Sequence, residues 1–467
     1  MTTFYEQEKE LLETFIDSTF YRYNNSIFKK SDICDMLEMI ITPECNQTCE
    51  YCYIYKYKDK LYPKEIRADH DKTVSNMRAL LNYYAYEKRY VFPILEIFAG
   101  DIYGQNLLFD TLDACYDYFK YIHKHCIEHE VFRVIIPNSL WFIPKDDEAV
   151  KRITEYNQKF KTINAMISFS WSHDGKYSID QREKRNITDE DYDKIFRFLI
   201  ENNGGIHPMM SAAGVKNAIK NHEWWKEMCI KYNFPRPRPM IVRNPYEWTD
   251  ESIDDYVKYM KYVLEEIEDF FQGDFVSMAR YIFQERPQAD NFEASFIDTV
   301  PPECKGRVAC SMQSSIVIRI SDLAITICHR TCYDGLLGGK YLLNDDGTKI
   351  IDIEPLNVGQ YIDAKTFRAD LAVGCANCWN RHSCFHGCIG AQREYSGDLY
   401  VPILSVCKLQ QIITDFMMDY YVNTGLLDIA IDNGFIQGDS PYHHLKERTL
   451  KRHERIRQDS NCNCRRN

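Results

Sequence analysis

The segment Cys45-Asn-Gln-Thr-Cys49-Glu-Tyr-Cys52-Tyr53 places three cysteines in the spacing C-x3-C-x2-C, soon after the apolar run Met36–Ile41. Thiolates bind zinc and iron, and three of them in one short loop can hold three irons of a four-iron cluster while the fourth iron stays open. A structural zinc site normally takes four protein ligands, and this loop offers three. The segment therefore predicts an iron–sulfur cluster with one open coordination position.

The sequence around this segment alternates short apolar runs with longer helical patterns. The apolar runs, which predict strands, are Met36–Ile41, Ile94–Ala99, Phe132–Ile136, Ala165–Trp171, His207–Ala212 and Pro239–Val242. The helical patterns cover 73–87, 106–126, 147–159, 188–202 and 216–231, and a further helix begins at Thr249. Six βα units predict an α/β fold with a parallel sheet, and because a closed barrel has about eight units we expect a partial (βα)6 barrel. Ligands of such folds bind at the carboxyl ends of the strands, where Cys45 lies.

The chain divides into predicted segments of different composition. Residues 1–35 form a helical extension, 36–272 the partial barrel, 273–303 a connector, 304–424 a small cysteine-rich domain, and 425–467 a C-terminal helix with a basic tail. In the cysteine-rich domain, Ile316–Ile320 and Ala324–Ile327 predict a β-hairpin, surrounded by loops that carry further candidate ligands. The basic C-terminal end is expected to be a solvated helical surface, with a docking surface for an acidic peptide as the alternative.

The composition excludes several classes of protein. The formal net charge of −12 disfavours a nucleic-acid partner, because phosphate binding needs clustered Lys and Arg. No run reaches the roughly 18 apolar residues of a membrane span, and the polar N-terminus lacks the apolar core of a signal peptide. We therefore expect a cytoplasmic protein with no nucleic-acid or membrane partner. In that reducing compartment its 18 cysteines would serve largely as metal or cluster ligands.

The C-x3-C-x2-C motif with its trailing aromatic residue resembles the signature of the radical S-adenosylmethionine (SAM) superfamily. Members of that family have a partial (βα)6 barrel and carry the motif after the first strand. The resemblance implies that Cys45, Cys49 and Cys52 bind a 4Fe–4S cluster that cleaves SAM, and that Tyr53 lies beside the adenine.

Two other segments resemble SAM-binding positions of the family in part. The second strand of the family ends in a Gly-Gly-Glu-Pro-like segment, and Ala99-Gly100-Asp101 stands at that place here, with an ordinary βα turn as the alternative. The fourth strand ends in a Ser-x-Asp-Gly-like segment, for which this chain offers Ser172 and Asp174, with Arg182 downstream. The resemblance implies that these residues contact SAM through its amino, ribose and carboxylate groups.

A second group of cysteines lies in the cysteine-rich domain. The run C-x2-C-x5-C-x3-C resembles the SPASM signature of radical SAM enzymes that act on peptides and proteins, whereas taken alone it fits a zinc site. By that resemblance two auxiliary 4Fe–4S clusters have interleaved ligands: Cys304, Cys310, Cys328 and Cys388 for the first, and Cys375, Cys378, Cys384 and Cys407 for the second. The family usually has glycine five residues before its third auxiliary ligand, and this chain has Leu323.

The remaining cysteines lie outside these motifs. Buried thiols are predicted where a cysteine falls on a strand or helix pattern, at Cys34, Cys115, Cys126 and Cys229. The sequence assigns no role to Cys332, Cys462 and Cys464.

The resemblance implies an enzyme that abstracts hydrogen from carbon with a 5′-deoxyadenosyl radical. Two auxiliary clusters can remove an electron from the substrate radical, which suits a crosslink, a thioether or a dehydrogenation on a ribosomally made peptide. One alternative is an anaerobic sulfatase-type maturase that forms formylglycine; such enzymes carry Asp, implicated as base, just after the third auxiliary ligand, where this chain has His329. The other alternative is a non-catalytic iron–sulfur electron-transfer protein.

The same resemblance implies the partners. They are a peptide or protein substrate, with or without a leader, and an external electron donor such as a flavodoxin or ferredoxin. About 35 residues precede the predicted barrel, too few for the winged-helix domain that binds leaders in many peptide maturases. Leader recognition would then require a separate protein or the basic C-terminal end.

Overall fold

A computed structural model describes most of the chain. The described residues are 3–19, 36–45, 47, 49–98, 100, 102, 106–125, 131–178, 187–235, 237, 240–242, 248–285, 315–368, 372–381, 383–384, 387–438 and 440–463. Their helices are α1 (Phe4–Thr19), α2 (Tyr53–Leu61), α3 (His70–Asn82), α4 (Leu107–His125), α5 (Asp147–Lys161), α6 (Asp189–Glu201), α7 (Ala218–Tyr232), α8 (Asp250–Phe271), α9 (Phe275–Arg280), α10 (Val358–Lys365), α11 (Ile389–Ser396), α12 (Leu404–Asn423), α13 (Leu426–Asp432) and α14 (Pro441–Asn463). Their strands are β1 (Met36–Ile40), β2 (Ile94–Phe98), β3 (Phe132–Asn138), β4 (Ala165–Trp171), β5 (Gly205–Ile206), β6 (Met209–Met210), β7 (Met240–Ile241), β8 (Ser315–Arg319), β9 (Ala324–Thr326), β10 (Gly339–Leu343) and β11 (Ile350–Pro355).

A mostly parallel sheet organises the described strands. Its order is β11-β10-β9-β8-β1-β2-β3-β4-β5. The neighbours from β8 through β1 to β5 are parallel, and β8 to β11 are joined by antiparallel pairs. The strands β6 and β7 form a separate two-stranded sheet. The predicted α/β class is therefore confirmed.

The strands β1 and β8, which pair with each other, are buried along their whole length. Every residue of β1 and of β8 is buried, and both strands are rich in Leu, Ile, Val or Met. A strand that is buried along its whole length is covered on both faces, which is the environment of parallel strands inside an α/β sheet. The predicted hairpin of the cysteine-rich domain is present as β8 and β9, and its first strand extends the sheet alongside β1.

Two compact units divide the described residues. The first comprises residues 1–173, 180–209 and 310–367, and the second comprises 174–179, 210–309 and 368–467. The division cuts across the predicted cysteine-rich domain, because the hairpin belongs to the first unit and the loop with Cys375 belongs to the second. The N-terminal helix α1 is part of the first unit, where Lys9 pairs with Asp352 on β11.

Helix starts follow the capping signals in the sequence. Thr249 caps α8 through reciprocal hydrogen bonds with Ser252, and Thr188 caps α6 in the same way with Asp191. Such pairs satisfy N–H groups that the first helical turn leaves without an intrahelical partner. In the second unit α8 packs with α9, α12 and α13 around an apolar core. Among the described helices, none combines the length and the apolar character needed to cross a bilayer.

Candidate functional site

The three-cysteine segment follows β1 at its carboxyl end. Cys45 is exposed and Cys49 is buried, whereas Cys52 is half-buried and occupies the N-cap position of α2. The segment turns tightly, with the N–H of Cys52 donating to the carbonyl of Cys49 over 3.0 Å and the N–H of Gln47 donating to Sγ of Cys45 over 3.4 Å. The fold thus brings all three sulfur atoms into one loop at the edge of the sheet where ligands of α/β proteins bind.

The environment of Cys52 bears on metal binding. Burial raises the pKa of its thiol, while the N–H groups of Tyr55 and Ile54, in the first turn of α2, act in the opposite direction. Thiols bind metal as thiolates, so a bound cation must displace the proton, and a helix N-terminus favours the negative charge that remains. The two N–H groups would therefore stabilise the Cys52 thiolate if a metal displaced its proton.

Side chains that could bind one metal ion together are grouped at one place among the described residues. Among the described residues, the one group of three His, Cys, Asp or Glu side chains with ligand atoms within 4.8 Å of one another is His222, Glu223 and Glu266. Four sulfurs around a single zinc at about 2.3 Å would lie roughly 4 Å apart. No three described cysteines have their sulfur atoms that close together.

Gly100 packs directly against the first cysteine of the segment. Its N–H donates to the carbonyl of Thr42 over 3.0 Å. A Cβ atom at Gly100 would lie 2.0 Å from the carbonyl oxygen of Glu44 and 2.7 Å from Cβ of Cys45. In the structure, Gly100 thus allows a close approach of the turn after β2 to the backbone of the Cys45 segment.

A residue from the hairpin lies beside the first motif. The ring of His329 stacks on Phe98 with centroids 4.0 Å apart, and on Tyr53 with centroids 5.5 Å apart. The guanidinium of Arg330 lies 5.2 Å from the centroid of Tyr53. Because Tyr53 follows Cys52 and His329 follows Cys328, the structure brings the first cysteine motif and one predicted auxiliary ligand to the same region of the first unit.

Two glutamates on neighbouring strands face His329. Glu38 on β1 and Glu96 on β2 are partners in the sheet register, and Nδ1 of His329 lies 2.6 Å from Oε1 of Glu38. Burial would lower the pKa of His329, but the charge and hydrogen bond of Glu38 outweigh this and raise it. Burial, and next the charge of Glu38, raise the pKa of Glu96 to about 7. Like charges directly opposite in a sheet are destabilising, and such perturbed groups concentrate at functional sites.

Cys332 and Arg319 hold the segment after the hairpin. The guanidinium of Arg319, 1% exposed, forms two bonds with Asp322 and donates to the carbonyls of Leu61 and Cys332, each over 2.9 Å. The Cys332 side chain belongs to a small apolar cluster, and burial raises the pKa of its thiol to about 12. Cys332 is therefore a packing thiol that anchors the residues following Cys328 to the end of α2.

A second group of sulfurs comes together in the second unit. The N–H of Cys378 donates to the carbonyl of Cys375 over 3.0 Å, and the amide of Gln411 on α12 donates to Sγ of Cys378 over 3.6 Å. Burial, followed by the charges of Cys375 and Cys378, raises the pKa of Cys407 to about 11. Three of the four ligands predicted for the second auxiliary cluster thus interact, and the fourth, Cys384, is half-buried nearby in the sequence.

The structure describes some of the remaining predicted site residues and not others. Ser172 follows β4 at its carboxyl end, where its N–H donates to the carbonyl of Asn138 over 3.1 Å, and Asp174 comes two residues later. Of the predicted first auxiliary set, Cys328 lies in the first unit and Cys388 caps α11 in the second. Predicted site residues outside the described part of the chain are Ala99, Asp101, Arg182, Cys304 and Cys310.

Comparison with known proteins gives no family assignment. No family model matches the chain, and no curated protein matches it.

Proposed function

We propose that this chain is a radical SAM enzyme that oxidatively modifies a ribosomally made peptide. One observation carries the proposal: a C-x3-C-x2-C loop lies at the carboxyl end of a central parallel strand, with Tyr53 beside a second cysteine-bearing segment. Cys45, Cys49 and Cys52 would hold the 4Fe–4S cluster, and three thiolates leave one iron for SAM. When bound, the cluster would supply the electron that cleaves SAM and releases a 5′-deoxyadenosyl radical.

The residues around this loop have roles that follow from their contacts. Tyr53 offers a ring that stacks with His329, and that wall would receive the adenine. Gly100 allows the turn after β2 to press against Glu44 and Cys45, which fixes the loop. Ser172 and Asp174, after β4, are the remaining described candidates for SAM contacts. Within the first unit, Tyr53, Gly100 and Ser172 would orient SAM at the carboxyl edge of the sheet.

The later cysteines support an oxidative reaction. Cys375, Cys378 and Cys407 interact in the second unit, and Cys384 would complete this auxiliary set. Cys328 and Cys388, with Cys304 and Cys310, would form the other. Two such centres would accept an electron from a substrate radical and pass it to an external flavodoxin or ferredoxin-like protein. A crosslink, thioether or dehydrogenation is therefore the favoured outcome.

A sulfatase-type maturase is the second candidate. His329 in place of the Asp of those enzymes counts against it, and the contacts of His329 are the observation that keeps it open. A titratable side chain directly follows Cys328 and lies against Tyr53, held by Glu38. It occupies the sequence position of the Asp that is implicated as base in those enzymes, with an imidazole in place of the carboxylate. Formylglycine formation on a Cys-containing or Ser-containing peptide would distinguish the two candidates.

The decisive experiment is anaerobic reconstitution followed by an iron count and a dithionite-driven assay for 5′-deoxyadenosine. Roughly 12 irons per chain, from three four-iron clusters, together with release of 5′-deoxyadenosine, would establish a three-cluster radical SAM enzyme. Only the substrate would then remain to be identified. Roughly 4 irons with release would keep the radical chemistry and remove the auxiliary clusters. Bound iron without release, in the presence of candidate peptides, would favour the electron-transfer protein.

Variants sharpen this experiment. Replacing Cys45, Cys49 or Cys52 with Ala should abolish release, whereas Cys378→Ala should lose iron and product yet retain some SAM cleavage. Cys115→Ala is the matched control, because Cys115 is fully buried on α4 and belongs to no predicted ligand set. Normal release by a Cys45→Ala protein would refute the central claim.

A further inference from the structure

A polar stripe runs along α12 from the second auxiliary cysteines. Cys407, Gln411, Asp415 and Asp419 follow one another at intervals of four residues, which places them along one side of the helix. The first two members face the cysteine loop, because Gln411 donates to Sγ of Cys378. The loop is also fastened to α12 through Asn380, whose amide donates to the carbonyl of Gln410 over 3.2 Å.

The other two members of the stripe bind the C-terminal helix. Asp415 accepts from Arg448, and its Oδ1 lies 2.7 Å from Nη1 of Arg452. Asp419 pairs with Arg452 and, over 2.6 Å, with His453. These basic side chains of α14 are about three-quarters buried, so they are committed to contacts within the chain. This part of the basic C-terminal end is a packing surface, while Lys451, Arg455 and Arg457 on the same helix are exposed.

Arg448 also reaches the cysteine loop directly. Its guanidinium carbon lies 3.3 Å from the ring centroid of Trp379, the residue that follows Cys378, and Trp379 packs against the apolar core of the second unit. A planar guanidinium can stack on an indole and bind a carboxylate at the same time, which Lys cannot do. Arg448 therefore ties three elements together: the Cys375–Cys378 loop, the helix with Cys407, and α14.

We propose that Arg448 is a positioning residue of the second auxiliary centre, where it holds Trp379 beside the Cys375–Cys378 loop and offsets the charge of Asp415. The inference rests on the proposed function, because it concerns a cluster bound by these cysteines. We expect the stacked Trp379 to limit the access of water and oxidants to the loop. The positive charge of Arg448 stabilises the reduced cluster, which carries one more electron. Removal of this charge should therefore lower the reduction potential of the cluster.

The test uses the reconstituted full-length protein and three variants. Arg448→Met removes the charge, Arg448→Lys keeps the charge but not the planar stack, and Arg455→Met is the control on the exposed side of α14. The readouts are the rate at which a chelator extracts iron and the midpoint potentials from an EPR redox titration. Melting temperature and circular dichroism report whether each variant is folded.

We expect Arg448→Met to release the iron of one cluster roughly tenfold faster than the parent protein, as the loss of about 1.4 kcal/mol would produce. One midpoint potential should also become more negative. Arg448→Lys should accelerate iron release while nearly preserving the potential, and Arg455→Met should change neither. A second variant, Trp379→Leu, should reproduce the faster release without the shift in potential.

Two results would count against the inference and are distinguishable. A parent protein with roughly 12 irons whose extraction rate and potentials are unchanged by Arg448→Met would overturn the role of Arg448 and leave the proposed function intact. A parent protein that binds no auxiliary iron would overturn both the auxiliary part of the proposed function and this inference.

Discussion

Nδ1 of His329 lies 2.6 Å from Oε1 of Glu38, which joins the residue after Cys328 to the strand that leads into the Cys45 loop. The imidazole is further held between the rings of Phe98 and Tyr53. Glu38 is 3% exposed, and a buried carboxylate needs a charged or hydrogen-bonding partner. The segment after the hairpin therefore contributes a titratable side chain to the wall of the first cysteine site, in addition to a predicted ligand.

The neighbouring carboxyl of Glu96 predicts a pH dependence of stability. Its pKa is raised from 4.5 to about 7, so between these values the folded protein holds a proton that the unfolded chain has released. Stability must then fall as the pH rises through this window, since the folded state binds the extra proton. Glu96→Gln removes the ionisation, so we expect the variant to gain on the order of 2 kcal/mol relative to the parent protein between pH 5 and pH 8.

The measurement is the melting temperature of both proteins at several pH values under anaerobic conditions. The control is Glu65→Gln, in the exposed turn after α2, which should follow the parent curve. The raised pKa of His329 contributes in the same direction, so the variant should retain a smaller loss of stability with rising pH. Parallel curves for the parent and Glu96→Gln proteins would show that Glu96 ionises normally in the folded state.

The α/β class could be predicted from the sequence because the first four strands and their helices carry complete local signals. Their apolar runs have strand length and are separated by amphipathic segments, so the hydrophobic period and the length of each segment indicate the same type of element. The predicted runs at 207–212 and 239–242 contain only two-residue strands. Pro208, Pro235, Pro237 and Pro239 stand in or beside them, and a proline has no N–H to donate to a sheet.

The pairing of β8 with β1 could not be predicted in this way. The partners are separated by more than 270 residues, and a local pattern indicates a strand without naming its neighbour. The candidate site likewise combines features with a local sequence signal and features that depend on long-range contacts. Cys45, Cys49 and Cys52 are local in sequence and were predicted, whereas the contact of Tyr53 with His329 depends on that long-range pairing. Glu38 and Glu96 had a local signal that was missed, because each is a charged residue in the middle of an apolar run.

Gly100→Ala should disrupt the first cysteine site. The added methyl group would lie 2.0 Å from the carbonyl oxygen of Glu44, and backbone cannot move aside as a flexible side chain can. We expect reconstituted Gly100→Ala protein to lose part of the iron and most of the SAM cleavage that the proposed function requires. Gly359→Ala is the matched control, because no atom lies within 4 Å of the added Cβ and α10 gains a better helix former. Equal iron content and activity in both variants would show that the segment tolerates displacement at Gly100.

At Leu323, in the turn of the hairpin, we expect a glycine substitution to be less destabilising than an alanine substitution. In strands and helices the order is usually the reverse. Leu323 ends the loop between β8 and β9 with φ of 59°, in the left-handed region that glycine adopts without steric cost. Its side chain is nevertheless 1% exposed, so burial is retained at the expense of backbone strain. This accounts for a leucine at a position where the resembled family usually has glycine.

Leu323→Ala and Leu323→Gly both lose the buried side chain, at a cost of roughly 2–5 kcal/mol. Alanine keeps the left-handed backbone strain of about 1–2 kcal/mol, and glycine removes it. Glycine also makes the unfolded chain more flexible, which lowers the free energy of unfolding by somewhat less than the strain that is removed. Leu323→Gly should therefore be the more stable variant by roughly 0.5–1 kcal/mol, measured as the difference in free energy of unfolding in urea. In an ordinary strand or helix alanine would be favoured, so a more stable Leu323→Ala protein would mean that the turn relaxes out of the left-handed conformation once the leucine is gone.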